Sequence, residues 1–197
     1  MTRHLATCDG PGAATKKPQA TAEVFHLLVD GGGPFWLYLF ARADATLEHL
    51  DAFLRQIWLE CCGHLSAFQV GGRTYSFAPD GDFGDKSMSA TLRKVLSPKL
   101  KFTHEYDFGS TTELLLTVVG TRDLHIGKDK VLLAARNEKP IFPCHECKNP
   151  AEFICTECMY DRDPWLCKKC SKKHTCDEEM LLPFVNSPWT GVCAYTG

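Results

Sequence analysis

Between residues 22 and 136 the apolar positions alternate in twos or run together, and one helical period interrupts them. Residues 24–30 (VFHLLVD) read as a strand, closed by the turn Asp30-Gly31-Gly32-Gly33-Pro34; residues 35–42 (FWLYLFAR) read as a second, aromatic-rich strand. Leu47, Leu50, Leu54, Ile57 and Trp58 recur at helical spacing and predict an amphipathic helix over 46–58, with Thr46 or Asp44 as its cap and Gly63 at its exit. Residues 64–70 and 73–77 flank Gly71-Gly72, a two-residue hairpin signal. A polar loop follows over 78–87, then a short helix over 88–96 and strands over 99–106, 113–119 and 131–135.

Strands joined by short turns run antiparallel, so this order predicts an α+β domain: a largely antiparallel sheet with one long and one short helix. The organisation expected is a flexible tail (1–21), the α+β domain (22–136), a linker (137–143), a cysteine-rich module (144–178) and a C-terminal tail (179–197) that packs back through Phe184, Trp189, Cys193 and Tyr195. Gly31-Gly32-Gly33 follows a strand, as in a phosphate-binding loop. Pro34 and a further strand come next instead of Lys-Ser/Thr and a helix, so the nucleotide reading lapses.

Of the 197 residues 44% are apolar, enough for a core. A formal charge of -2 supplies no long-range attraction to nucleic acid or an anionic membrane. No stretch has the length of a membrane span and no secretory signal pattern opens the chain, so the expected location is cytoplasmic. Seven of the eleven cysteines lie between Cys144 and Cys176. In a reducing compartment clustered thiols read as metal ligands rather than disulfides.

The candidate ligands are Cys144, Cys147, Cys155, Cys158, Cys167, Cys170, His174 and Cys176, spaced C-x2-C-x7-C-x2-C-x8-C-x2-C-x3-H-x-C. Eight such donors fill two tetrahedral zinc sites, and a two-residue gap lets the backbone curl so that both sulfurs face one ion. In a sequential pairing Cys144, Cys147, Cys155 and Cys158 share one zinc. In an interleaved pairing Cys144 and Cys147 join Cys167 and Cys170, while Cys155 and Cys158 join His174 and Cys176. Iron, a disulfide, or His145 replacing a neighbour are the alternatives. Four protein donors leave no position for water, so the expectation is two structural zinc ions that fold a segment poor in core-forming residues.

Lys168, Lys169, Lys172 and Lys173, with Arg162, offer a basic edge. Residues 141–179 nonetheless hold six Lys or Arg against eight Asp or Glu, and thiolates add negative charge. A protein partner is therefore the first expectation and nucleic acid the second.

The start ending in Phe35-Trp36, the HLSAF segment at 64–68, Gly72 with Tyr75, and above all KFTHEYDFG at 101–109 resemble the plasmid pRi open-reading-frame-three-like family, over roughly 22–136. The ending at 181–197 is similar to those of relatives that carry a zinc module. The resemblance implies a compact α+β fold without an assigned reaction. Ser66 stands where that family usually has a second His, and Ser110, Thr111 and Thr112 where it has an acidic residue and a Trp. The cysteine spacing resembles B-box and other cross-brace fingers.

Outside the module His64, His104, Glu105 and Asp107 are the residues able to carry acid–base chemistry. On a strand His104 and Tyr106 share one face and Glu105 and Asp107 the other, so a site around His64, His104 and Asp107 must be assembled between strands. The simpler reading has Asp107 accepting backbone hydrogen bonds before Gly109. Cys61-Cys62 reads as small buried thiols at a helix end; Cys62 and His64 would act together only if their side chains converge. The sequence thus leads to a zinc-stabilised interaction or adaptor protein, with an enzyme as the alternative.

Overall fold

The computed structural model describes residues 21–79 and 84–197; the tail read over 1–20 and part of the loop at 78–87 lie outside them. Contacts divide the chain into two units. Unit one comprises Met1–Arg55 and His64–Asn137, as far as these are described; unit two comprises Gln56–Gly63 and Glu138–Gly197.

Unit one is built on an eight-stranded sheet in the order β5-β4-β3-β6-β7-β1-β2-β8. Its strands are β1 (Ala22–Asp30), β2 (Trp36–Arg42), β3 (Ser66–Val70), β4 (Arg73–Ser76), β5 (Lys86–Ser87), β6 (Lys101–Tyr106), β7 (Thr112–Leu124) and β8 (Val131–Arg136). Every pairing is antiparallel except β4 with β5. The fold is mixed α+β with few short helices. β1 lies between β7 and β2 and is buried from Val24 through Leu27, which is why it reads as an apolar run. β6 alternates cleanly, with Phe102, His104 and Tyr106 on the buried face.

The first helix differs from the single long helix expected. α1 (Leu47–Leu54) buries Leu47, Leu50, Asp51 and Leu54, and Arg55–Leu59 continues as a π-helical turn. Thr46 is the cap: its Oγ1 accepts from His49 N at 3.3 Å, and His49 Nδ1 accepts from Thr46 N at 3.3 Å. The second helix, α2, contracts to Leu92–Val95.

Unit two holds a three-stranded sheet, β10-β9-β11, from β9 (Phe153–Cys155), β10 (Trp165–Leu166) and β11 (Leu181–Pro183), plus the short helix α3 (Lys168–Ser171). Phe142 stacks on Trp165 at 4.2 Å, with the Phe184 ring edge-on to Trp165 at 5.0 Å. The C-terminal segment is tied to the stretch after α1: Ser187 Oγ donates to Trp58 O at 2.6 Å and accepts from Trp189 N at 2.9 Å. Trp58 and Trp189 are both fully buried.

Candidate metal centres

The core around β9 and β10 consists of Cys144, Cys155, Cys158, Leu166 and Cys167, so four of its five members are thiols. Aliphatic burial at this scale gives little driving force by itself. Each cysteine is delivered by a tight local turn. Cys144 N donates to Asn149 O at 2.7 Å and Lys148 N to Cys144 O at 3.0 Å, with Lys148 at φ 63, which brings Cys144 and Cys147 together. Cys167 is the N-cap of α3, and that single turn carries Cys170. Cys155 ends β9, Cys158 opens a 3-10 turn, and His174 follows α3 through His174 N donating to Ser171 O.

The eight sequence-derived candidates fall into two groups. Cys144, Cys147, Cys167 and Cys170 form one; Cys155, Cys158, His174 and Cys176 form the other. This is the interleaved grouping, and within each group the donor atoms lie within 4.8 Å of one another. Cys147 and Cys167 sulfurs are 3.6 Å apart, Cys158 and Cys176 sulfurs 3.7 Å, and Cys158 Sγ to His174 Nε2 3.3 Å. A tetrahedron with metal–sulfur bonds of about 2.3 Å has an edge of about 3.8 Å, so these spacings are those of donors around one ion.

Two thiols of the first group differ in their electrostatics. Burial opposes the Cys144 thiolate, but N–H groups of Cys167, Cys147 and Glu146 outweigh it and bring the thiol down to about 6. Cys170 is pushed up to about 12, first by its hydrogen bond with Cys147 and then by burial. In the second group Arg162 Nε donates to Cys158 Sγ at 3.1 Å. The guanidinium thus faces the sulfurs of Cys158 and Cys176. His145 belongs to neither group; its Nδ1 lies 3.9 Å from Asp163 Oδ2.

The expectation of two zinc ions is overturned, because the described residues hold three candidate metal-binding groups. The third is Cys61, Cys62, His64 and Cys193. Cys62 Sγ is 3.5 Å from Cys61 Sγ and 3.5 Å from Cys193 Sγ. Nor are Cys61 and Cys62 buried helix-end thiols: Cys61 is half-buried and Cys62 exposed. Contact with Cys193, then Cys61, pushes the Cys62 thiol up to about 12. The sequence signal was Cys-Cys-x-His, but its fourth member lies 131 residues beyond Cys62.

Of the residues considered for acid–base chemistry, His64 and Asp107 meet, whereas His104 pairs with Asp51 instead. His104 is fully buried, and its Nε2 lies 2.7 Å from Asp51 Oδ1. Arg55 holds the other carboxylate oxygen, Nε to Oδ2 at 2.7 Å, and also donates to His64 O and Ser66 Oγ. Burial works against the Asp51 carboxylate, yet the His104 contact, then Ser66 and Arg55, lower its pKa. Asp107 sits at φ 58 in the turn, where it accepts from Gly109 N at 3.0 Å and Ser110 N at 3.3 Å, with His64 Nδ1 3.5 Å away. Asp51 escaped the sequence reading although it falls on the same helical face as Leu47 and Leu54. The network locks α1 to β3 and β6, with the His104 imidazole inside the core.

These features define a class: an α+β protein with candidate Cys/His metal-binding groups. No family model matches the chain, and no curated protein matches it, so the resemblance to the plasmid pRi open-reading-frame-three-like family gains no support. Among solved structures the chain is similar to a protein of unknown function, MM3350, from Methanosarcina mazei Go1. The identity is 17% and the TM-score 0.51, over 59% of this chain and 70% of that one. That likeness concerns the fold alone. Among the described residues no helix is long and apolar enough to cross a membrane.

Proposed function

We propose that this chain is a metal-binding interaction protein, in which Cys/His groups hold unit two in shape and its surface meets a partner protein. The observation that carries the reading is the sorting of Cys144, Cys147, Cys155, Cys158, Cys167, Cys170, His174 and Cys176 into a four-thiol group and a group of three thiols with one imidazole, the donor atoms of each within 4.8 Å of one another. Both donor sets suit four-coordinate zinc, and closed coordination favours a structural role. Arg162 beside Cys158 fits as the outer group that offsets thiolate charge. Tyr160 and Ile141, 83% and 79% exposed, are large apolar side chains available to a partner. A second reading, nucleic-acid binding through Lys168, Lys169, Lys172 and Lys173, is supported by the exposure of all four. Chelation of the reduced protein tests the first reading. Loss of folded signal from residues 144–176 together with metal supports it, and an unchanged fold in metal-free protein rejects it.

A further inference from the structure

The group outside the cysteine-rich stretch is the most informative feature left. All three of its sulfurs lie in unit two: Cys61 and Cys62 just after the π-helical turn, and Cys193 near the end of the chain. His64 follows two residues after Cys62, beyond Gly63, whose φ of +79 turns the chain back. Cys62 is the centre of the group, with a sulfur on either side at 3.5 Å. A disulfide has sulfurs about 2.0 Å apart, so this arrangement is not one. At 3.5 Å the spacing lies within about 0.3 Å of the edge of a thiolate tetrahedron, a little shorter than the 3.6 and 3.7 Å of the other two groups.

The scaffold brings these donors together by means independent of them. Ser187 bonds to the carbonyl of Trp58, three residues before Cys61, and Trp189 N caps the same hydroxyl. The segment that carries Cys193 is thus registered against the segment that carries Cys61 and Cys62. At its tip two consecutive non-glycine residues, Cys193 and Ala194, sit in the left-handed region at φ 50 and 55. That conformation is uncommon for L-residues and persists where other interactions over-determine it.

We infer that Cys61, Cys62 and Cys193, all within unit two, form a third metal site that takes a thiophilic divalent cation such as zinc and fastens the C-terminal segment to the chain after α1. The site shares its donor chemistry with the reading above but none of its residues. Binding replaces the thiol protons by the cation: three Cys S–H groups release three protons to solvent. No electron is transferred. Two of the thiols come from the chain after α1 and the third from the C-terminal segment, which makes the site a clasp.

The test uses the full-length protein, reduced and supplied with zinc, and counts bound metal by native mass spectrometry and elemental analysis. The double variant Cys62→Ser, Cys193→Ser is expected to carry one zinc fewer than wild type, with the remaining zinc retained. An equal count in wild type and variant overturns this inference and leaves the reading of the other two groups standing. Absence of zinc from the wild type overturns both. Thiol mapping on the wild type is independent of how the variant folds. Exposed Cys62 and Cys193 should react slowly with iodoacetamide in zinc-loaded protein and at least tenfold faster after chelation. Fast alkylation in zinc-loaded protein, or a Cys62–Cys193 disulfide that zinc and reductant do not replace by bound metal, contradicts the site.

Discussion

His104 Nε2 and Asp51 Oδ1 lie 2.7 Å apart with both side chains buried, and this pair joins β6 to α1 across 53 residues of sequence. Arg55, one turn further along, holds the other oxygen of Asp51 and lies with its guanidinium carbon 4.8 Å from the Tyr106 ring centre. Removing one partner of such a pair leaves an uncompensated buried charge.

Asp51→Ala is therefore predicted to destabilise unit one by about 3 kcal/mol or more, read as a shift in denaturant midpoint. The carboxyl has a lowered folded-state pKa. Its contribution is thus present above the unfolded carboxylate value of about 3.9 and is lost as pH falls through the folded one. Wild-type stability should decline on acidification through that window, and Asp51→Asn should flatten the decline. Equal acid sensitivity in both proteins would show that another group governs it.

Gly191 gives a second prediction, local to unit two. A Cβ there would meet Ile154 Cδ1 at 2.8 Å, and the residue sits at φ +82. Gly191→Ala should cost about 1–3 kcal/mol from overpacking and backbone strain together. Ile154→Val removes the clashing methyl and should recover part, not all, of that loss, because the backbone strain remains. A thermal melt of the two variants and their combination measures the coupling.

The lysine edge gives a third. If Lys168, Lys169, Lys172 and Lys173 met phosphates, affinity for a mixed-sequence duplex would fall steeply with salt, and replacing two of them with Gln would lower the slope by about 2. The protein-partner reading predicts no measurable duplex binding at physiological ionic strength. Tight, salt-sensitive binding would move the second reading to first place.

The parts of the fold legible in the sequence are those where one period dominates. β1, β2 and the β3–β4 hairpin follow from apolar runs and from Gly71-Gly72, both of which adopt positive φ, 57 and 73. The place where α1 passes into a π turn at Arg55 left no trace in the Leu47–Trp58 spacing, since both helix types keep that face inward. β5 is two exposed residues with no pattern, and β7 runs on to Leu124 past Gly120, where alternation fades. The strand order required pairings far apart in sequence. The eight clustered ligand candidates were legible because Cys-x2-Cys spacing is local. Asp51 hid among leucines on a buried face, and the third group hid because Cys193 has no neighbouring cysteine to mark it.

Sulfur and imidazole around metal, more than apolar burial, are what hold unit two together in this reading. Hydrogen exchange on the reduced full-length protein, before and after chelation and with metal content measured in parallel, tests that claim most directly. Zinc-loaded protein is predicted to protect the amides of β9, β10 and β11. Cys170→Ala should lower both metal content and that protection, and chelation should abolish it while β1, β6 and β7 stay protected. Metal-free, reduced protein that keeps full protection at Phe153–Cys155 and Trp165–Leu166 would contradict the claim.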